Sequence, residues 1–263
     1  MKTFNGDFDK FKDKLERGEN FSFIRFSDGE LFVLQNLRLE LNEDHYIIGN
    51  GLGYGEYNAE EQKKFMPGQD EFYRKKLEES LQWDANNFYR GICTKPDVTE
   101  EVFNWMVNLS GSTSDSERLT WANLFINGNY GRYIEEIVPI FSTKEIIMVV
   151  NHSAQVEHLP FNVKKVFRVG TNCFINDYDL IEEMKTYIKE NNIENHVFLL
   201  SAASLTNLIG HQLHVEFPNN SYIDIGSTLN PIMKMEGWKG SRSYLREYWL
   251  KENPVYTKMI CTW

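Results

Sequence analysis

Phe21-Ser22-Phe23-Ile24-Arg25-Phe26-Ser27-Asp28-Gly29-Glu30-Leu31 is the stretch on which the fold of this chain turns. Phe21 to Phe26 is a short apolar run that predicts a strand, and from Gly29 to Asn36 the apolar period becomes helical. The Ser27-Asp28-Gly29-Glu30 segment therefore joins a strand to a helix, with a carboxylate on each side of a glycine. Open α/β sheets bind ligands at the carboxyl ends of their strands, and paired carboxylates there suit a hard divalent cation. The glycine lets a phosphate or another backbone come close. A plainer reading uses the same residues: Asp28 caps the helix, and Glu30 sits favourably in its first turn. Spacing alone leaves both open.

Outward from this turn the pattern alternates. Phe8, Phe11 and Leu15 recur at helical spacing, and Gly18 supplies a stop signal. His45 to Ile48 predicts a strand that enters Gly49-Asn50-Gly51-Leu52-Gly53-Tyr54-Gly55. That run fails the dinucleotide fingerprint, because Tyr54 and Glu56 stand where a glycine is needed. It reads as a flexible loop that can serve as a lid. Residues 59–82 read as largely helical, interrupted at Pro67-Gly68. Asn87 to Cys93 reads as a strand, Thr99 to Leu109 as a helix capped by Thr99, and Ser110 to Glu117 as a polar loop. Trp121 to Ile126 reads as a strand and Tyr130 to Phe141 as a helix.

In the second half, Glu145 to Val150, Lys165 to Val169, His196 to Leu200 and Tyr222 to Ile225 are four β-rich segments. Asp177 to Glu190 and Ser204 to Glu216 are helices with apolar stripes. Strands alternating with helices predict an α/β, Rossmann-like, mostly parallel sheet covered on both faces, in one domain over 1–263.

Composition narrows the function. The chain has 263 residues, 41% of them hydrophobic, which is ample for a sizeable core. A net charge of −10 makes it a poor binder of nucleic acid or of anionic membrane. Cys93, Cys173 and Cys261 are isolated, with no CxxC spacing, which argues against a disulfide framework and a zinc knuckle. They read as buried thiols in a reducing compartment. Met1-Lys2-Thr3-Phe4-Asn5-Gly6-Asp7 lacks a signal pattern. The longest apolar run, Ile146 to Val150, is far short of the ~20 residues of a membrane span. The expectation is a soluble, cytoplasmic protein.

Phe23-Ile24-Arg25-Phe26-Ser27-Asp28-Gly29-Glu30-Leu31 resembles the R-F-(G/S)-D-G-E signature of GT-D fold glycosyltransferases. In that family a D-x-E motif serves as the metal site. The likeness continues in order through Ile146 to Asn151, Gly170 to Tyr178, Leu200 to Thr206 and Tyr222-Ile223-Asp224-Ile225-Gly226-Ser227. Most of the chain is covered, and the segments around Asp28-Gly29-Glu30 and Asp224-Ile225-Gly226 are the specific ones. The chain departs from the family at Ala203-Ser204, where Gly-Pro is common, and at Ser227, where histidine is common. Residues 49–129 match nothing in the family and are expected to form a family-variable insertion or acceptor-side region.

The resemblance implies Mn²⁺ or Mg²⁺ at Asp28 and Glu30 against the diphosphate of a UDP-type nucleotide-sugar. It implies a glycan, glycoprotein or glycolipid acceptor. Arg25, Ser27, Asn151, Asn172, Ser201 and Ser204 are expected on the donor, and Asp224 as the base for the acceptor hydroxyl. Each has a structural alternative. Arg25 can pair with an aspartate, on the strand face opposite Ile24 and Phe26. Asp224 can satisfy N–H groups of the Gly226-Ser227 turn. Ser204 can be a plain cap, Asp177 a first-turn acid and His152 a surface histidine. Trp238 to Trp249 reads as an amphipathic helix covering the sheet edge, with Arg242 and Arg246 one turn apart. The alternatives for function are a metal-dependent nucleotide-sugar hydrolase or phosphotransferase, and a non-catalytic nucleotide-binding module.

Overall fold

The computed structural model describes residues 2–58, 61–237, 239, 242–251 and 263. Helix α1, Phe4–Arg17, forms on a stripe of Phe4, Phe8, Phe11 and Leu15, all buried. The Thr3 hydroxyl accepts from Gly6 N–H at 3.1 Å at its start, and Gly18, at φ 70°, ends it. Strand β1, Ser22–Phe26, runs into α2, Asp28–Leu34.

Four short strands follow: β2 Leu39–Leu41, β3 His45–Ile48, β4 Gly51–Tyr54 and β5 Lys63–Phe65. They make a separate antiparallel sheet in the order β4-β3-β2-β5. The glycine-rich run is therefore not a free loop. Gly51 pairs with Ile48 and Tyr54 with His45, across a two-residue turn whose first member, Gly49, has φ 60°. Nor are residues 59–82 mainly helical, since β5 precedes α3, Glu71–Gln82.

Strand β6, Phe88–Ile92, helix α4, Glu100–Leu109, and strand β7, Leu119–Trp121, come next. The expected strand over 121–126 ends at Trp121, and turns bonded Leu124 N–H to Trp121 O and Ile126 N–H to Asn123 O replace the rest. The expected helix over 130–141 is composite. A turn of α-helix, α5 Tyr130–Arg132, widens to a π segment over Tyr133–Ile137 and tightens to a 3₁₀ segment over Val138–Thr143. Pro139 has no N–H to continue an α ladder.

The second half contains β8 Ile146–Asn151, β9 Val163–Val169, α6 Cys173–Asn176, α7 Leu180–Glu190, β10 Val197–Leu200, α8 Leu205–Glu216, β11 Ser221–Asp224 and α9 Ser243–Leu250. The single helix expected over 177–190 is thus α7 alone, with Ile181, Met184 and Ile188 buried. Trp238, Gly240, Ser241 and Cys261 lie outside the described residues.

The main sheet has seven strands in the order β7-β6-β1-β11-β10-β8-β9, and every pairing in it is parallel. Alternation along each strand divides its side chains between two apolar layers. Ile24, Phe26, Ile147, Val149, Phe198 and Leu200 face α2, α3, α4, α7 and α8. Phe23, Met148, Val150, Leu199 and Ile223 face α1, the composite helix and α9. This is the expected α/β, Rossmann-like fold. Residues 49–129 do not stand apart from it: β6 and β7 lie in the main sheet, and the appended unit is the small sheet over 39–65. Among the described residues no helix is long and apolar enough to cross a membrane.

Candidate active site at the carboxyl edge of the main sheet

Parallel pairing brings the ends of β6, β1, β11 and β10 to one edge, with Arg25 beside Gly91 and Leu200 beside Asp224. The turn after β6 carries Asp97, the turn after β1 Asp28 and Glu30, the last position of β11 Asp224, and the turn after β10 Ser201 to Ser204. Most of the residues picked out from sequence meet here, in two different states.

The first is the turn after β1. The helix cap is Ser27, whose N–H donates to Glu30 Oε2 at 3.0 Å, half of a capping box. Glu30 Oε1 accepts from the Ser204 hydroxyl at 2.6 Å. Ser204 stands before α8 yet makes no cap bond, because its hydroxyl is turned to Glu30. Glu30 is 8% exposed, and each of its oxygens already accepts a hydrogen bond. Burial pushes its carboxyl above the ordinary value, opposed by the Lys63 charge and the Ser204 hydroxyl. Asp28, by contrast, is exposed. Its Oδ1 accepts from Gly29 N–H at 3.0 Å, and its other oxygen has no hydrogen-bond partner among the described residues. So Glu30 braces the turn and Asp28 faces outward.

The second is the turn after β11. Asp224 is 5% exposed and accepts from Arg25 Nη2 at 3.0 Å, Arg25 N–H at 3.2 Å and Gly226 N–H at 2.9 Å. Burial pushes its carboxyl up, and Arg25 opposes that shift. Arg25 lies on the face opposite Ile24 and Phe26, as strand alternation predicts. Its Nη1 reaches Ala122 O at 3.5 Å, and its own carbonyl accepts from Asn207. Gly226 has φ 47°, and a Cβ there would fall 1.9 Å from Arg25 Nη2. Only glycine fits this turn. The arrangement holds Arg25, and it surrounds the Asp224 carboxylate with donors.

The other expected donor contacts are occupied within the fold. Ser201 donates to Gly226 O at 2.7 Å, joining the β10 and β11 turns. Asn151 Oδ1 accepts from Ser153 N–H. Asn172 bonds the small sheet: its N–H donates to Gln62 O at 3.3 Å, and its Oδ1 accepts from Lys64 N–H at 2.9 Å. Asp177 is no first-turn acid, because it ends α6 and lies ahead of α7; its carboxylate accepts from Gly170 N–H. His152 is exposed at the surface. Ser227 lies within hydrogen-bond reach of Tyr244 and Arg242.

Asp97 is a member of the edge that sequence reading passed over. It follows β6, is exposed, and accepts from the Asn123 amide at 2.8 Å. Partial desolvation and the Asp28 charge push its carboxyl up. Its one sequence signal is its place in a turn just after a strand of a parallel sheet. Cys93 and Cys173 are buried free thiols, donating to Phe26 O and Ala202 O. Among the described residues, no three His, Cys, Asp or Glu side chains gather around one metal position.

No protein-family model and no curated protein matches the chain. Two solved structures are similar to it. One is described as the selenomethionine-substituted structure of domain of unknown function 1792; it is 14% identical, at a TM-score of 0.53, with 88% of this chain and 79% of that one covered. The other bears the description that this highly conserved domain "has a distinct glycosyltransferase fold"; it is 15% identical, at a TM-score of 0.50 and the same coverage. This chain therefore shares the fold of a domain described as having a distinct glycosyltransferase fold.

Proposed function

We propose that this protein is a glycosyltransferase that moves a sugar from a nucleotide-diphosphate donor to a hydroxyl acceptor. The observation that carries the reading is Asp28: an exposed carboxylate on a turn braced by buried Glu30 and Ser204, at the ligand-binding edge of a glycosyltransferase-like fold.

Mg²⁺ and Mn²⁺ suit sites with one or two carboxylates completed by substrate phosphate and water. Asp28 fits that description, with one oxygen uncommitted. Glu30 fits it poorly, since both its oxygens hold the turn. When bound, the ion would offset negative charge on the leaving diphosphate. The chain's own residues do the rest. Glu30, Ser27 and Ser204 fix the direction of Asp28. The Arg25–Asp224 pair joins β1 to β11 beneath the site. Asp97 is exposed and holds its proton more tightly than an ordinary aspartate, which brings it nearer the range useful to a base. It is a better-placed proton acceptor for a substrate hydroxyl than Asp224, which is enclosed by three donors.

The test is release of nucleoside diphosphate from a panel of UDP- and GDP-sugars, with and without oligosaccharide acceptors, in Mn²⁺ and in EDTA. Release that depends on acceptor is expected. Equal release without acceptor would make the protein a hydrolase, and release from none of the donors would contradict the reading.

A further inference from the structure

The small sheet has a second consequence for the Asp28-Gly29-Glu30 turn. Strand β5 places Lys63 and Phe65 on one face and Lys64 on the other. Phe65 is 1% exposed, in the core under the main sheet, so this face is the inward one. Lys63 is half-buried and Lys64 is exposed. The Lys63 ammonium reaches Gly29: a Cβ at that glycine would lie 2.7 Å from Lys63 Nζ. Its charge is the strongest influence opposing the burial of Glu30, and it is also felt by Cys173. Yet among the described residues no carboxylate lies within 4.0 Å of Lys63 Nζ, and no hydrogen bond engages it. Asn172 holds the backbone on both sides of it, through Gln62 O and Lys64 N–H.

We propose that Lys63 is a diphosphate-binding residue, an ammonium delivered by the small sheet to the Asp28-Gly29-Glu30 turn and kept there by Asn172. The proposal rests on the donor reading above. A lysine ammonium is a compact point charge with three donors, suited to phosphate oxygens. The ammonium lies against a side-chain-free residue adjacent in sequence to exposed Asp28, and among the described residues none of its donors is taken up by a hydrogen bond. Asn172 acts through backbone bonds and is a positioning residue.

The test is calorimetric binding of inorganic pyrophosphate, UDP and uridine, in Mn²⁺ and in EDTA, to wild type, Lys63→Met, Lys63→Arg and Asn172→Ala. Lys63→Met should weaken pyrophosphate and UDP about tenfold or more, with the larger loss in EDTA, and leave uridine unchanged. Lys63→Arg should recover most of the affinity, and Asn172→Ala should lie between. A structural role for Lys63 would shift the melting temperature without separating UDP from uridine. Equal pyrophosphate and UDP affinity in wild type and Lys63→Met would overturn the Lys63 assignment while leaving the donor reading standing. No binding of pyrophosphate or UDP by wild type would overturn both.

Discussion

The turns after β1 and β11 are both strand ends carrying an aspartate and a glycine, and they lie side by side in the sheet. At the end of β11, Asp224 is buried, takes three hydrogen bonds and closes on Arg25, whose side chain is 12% exposed. After β1, the buried carboxylate is Glu30, and it frees Asp28 to stand exposed. Equal chemistry at adjacent strand ends thus gives a fastening in one case and an open carboxylate in the other. The partner count of each carboxylate makes the distinction, not its residue type.

The largest effects should come from breaking the fastening. Asp224→Asn leaves the Arg25 charge buried without its counter-ion, a loss of about 3–5 kcal/mol. Gly226→Ala forces a Cβ into the guanidinium at a positive φ and should be comparably damaging. Urea denaturation of both variants measures this, and wild-type stability in either would dissolve the contrast between the turns.

Asp28→Asn should do the opposite. Sugar transfer should fall about 10²–10³-fold, the scale of losing one group that stabilises developing charge. Unfolding free energy should stay within about 0.5 kcal/mol of wild type, as for an exposed substitution. Steady-state kinetics with parallel denaturation curves separates the two quantities.

Glu30→Gln tests the brace through pH. Burial raises the Glu30 carboxyl above its ordinary 4.5, so the folded chain retains a proton that the unfolded chain has released. The unfolded state then binds fewer protons, and this group's contribution to stability falls as pH rises from about 4.5 through the folded value. Glutamine does not titrate, so the stability of Glu30→Gln relative to wild type should improve with rising pH. A difference that is flat or slopes the other way would remove Glu30 from its buried role.

The smallest effect is expected at the thiols. Burial pushes Cys173 up to about 12 and Cys93 well above its usual range. Maleimide should label neither in the native protein, as peptide mapping would read out, and Cys93→Ala should leave turnover unchanged.

How much of this was legible follows from the range of each interaction. Six of the seven strands of the main sheet could be read from local apolar runs, whereas β7, expected over 121–126, lies at Leu119–Trp121; the α1 stop and the α4 cap followed from Gly18 and Thr99. Arg25's face followed from alternation alone. Of the small sheet only β3, His45–Ile48, was legible; β2, β4 and β5 were not, because they are three or four residues long and the glycines of β4 mimic a loop. The roles of Glu30 and Asn172 were beyond local reading for another reason. Ser204 meets Glu30 across 174 residues of sequence, and Lys64 meets Asn172 across 108. A hydroxyl before a helix looks like a cap until the partner folded against it is known.

The central claim is that Asp28 faces a metal–diphosphate ligand on a turn that folds without it. Thermal unfolding of wild type and Asp28→Asn, with nucleotide-sugars and Mn²⁺ at a hundredfold excess over Kd, tests it most directly. Wild type should gain about 2.7 kcal/mol, a rise of about 5–10 °C for a chain of this size. Asp28→Asn should melt at the wild-type temperature without ligand and gain little with it. An equal rise in both proteins, or none in wild type with any donor, would contradict the account.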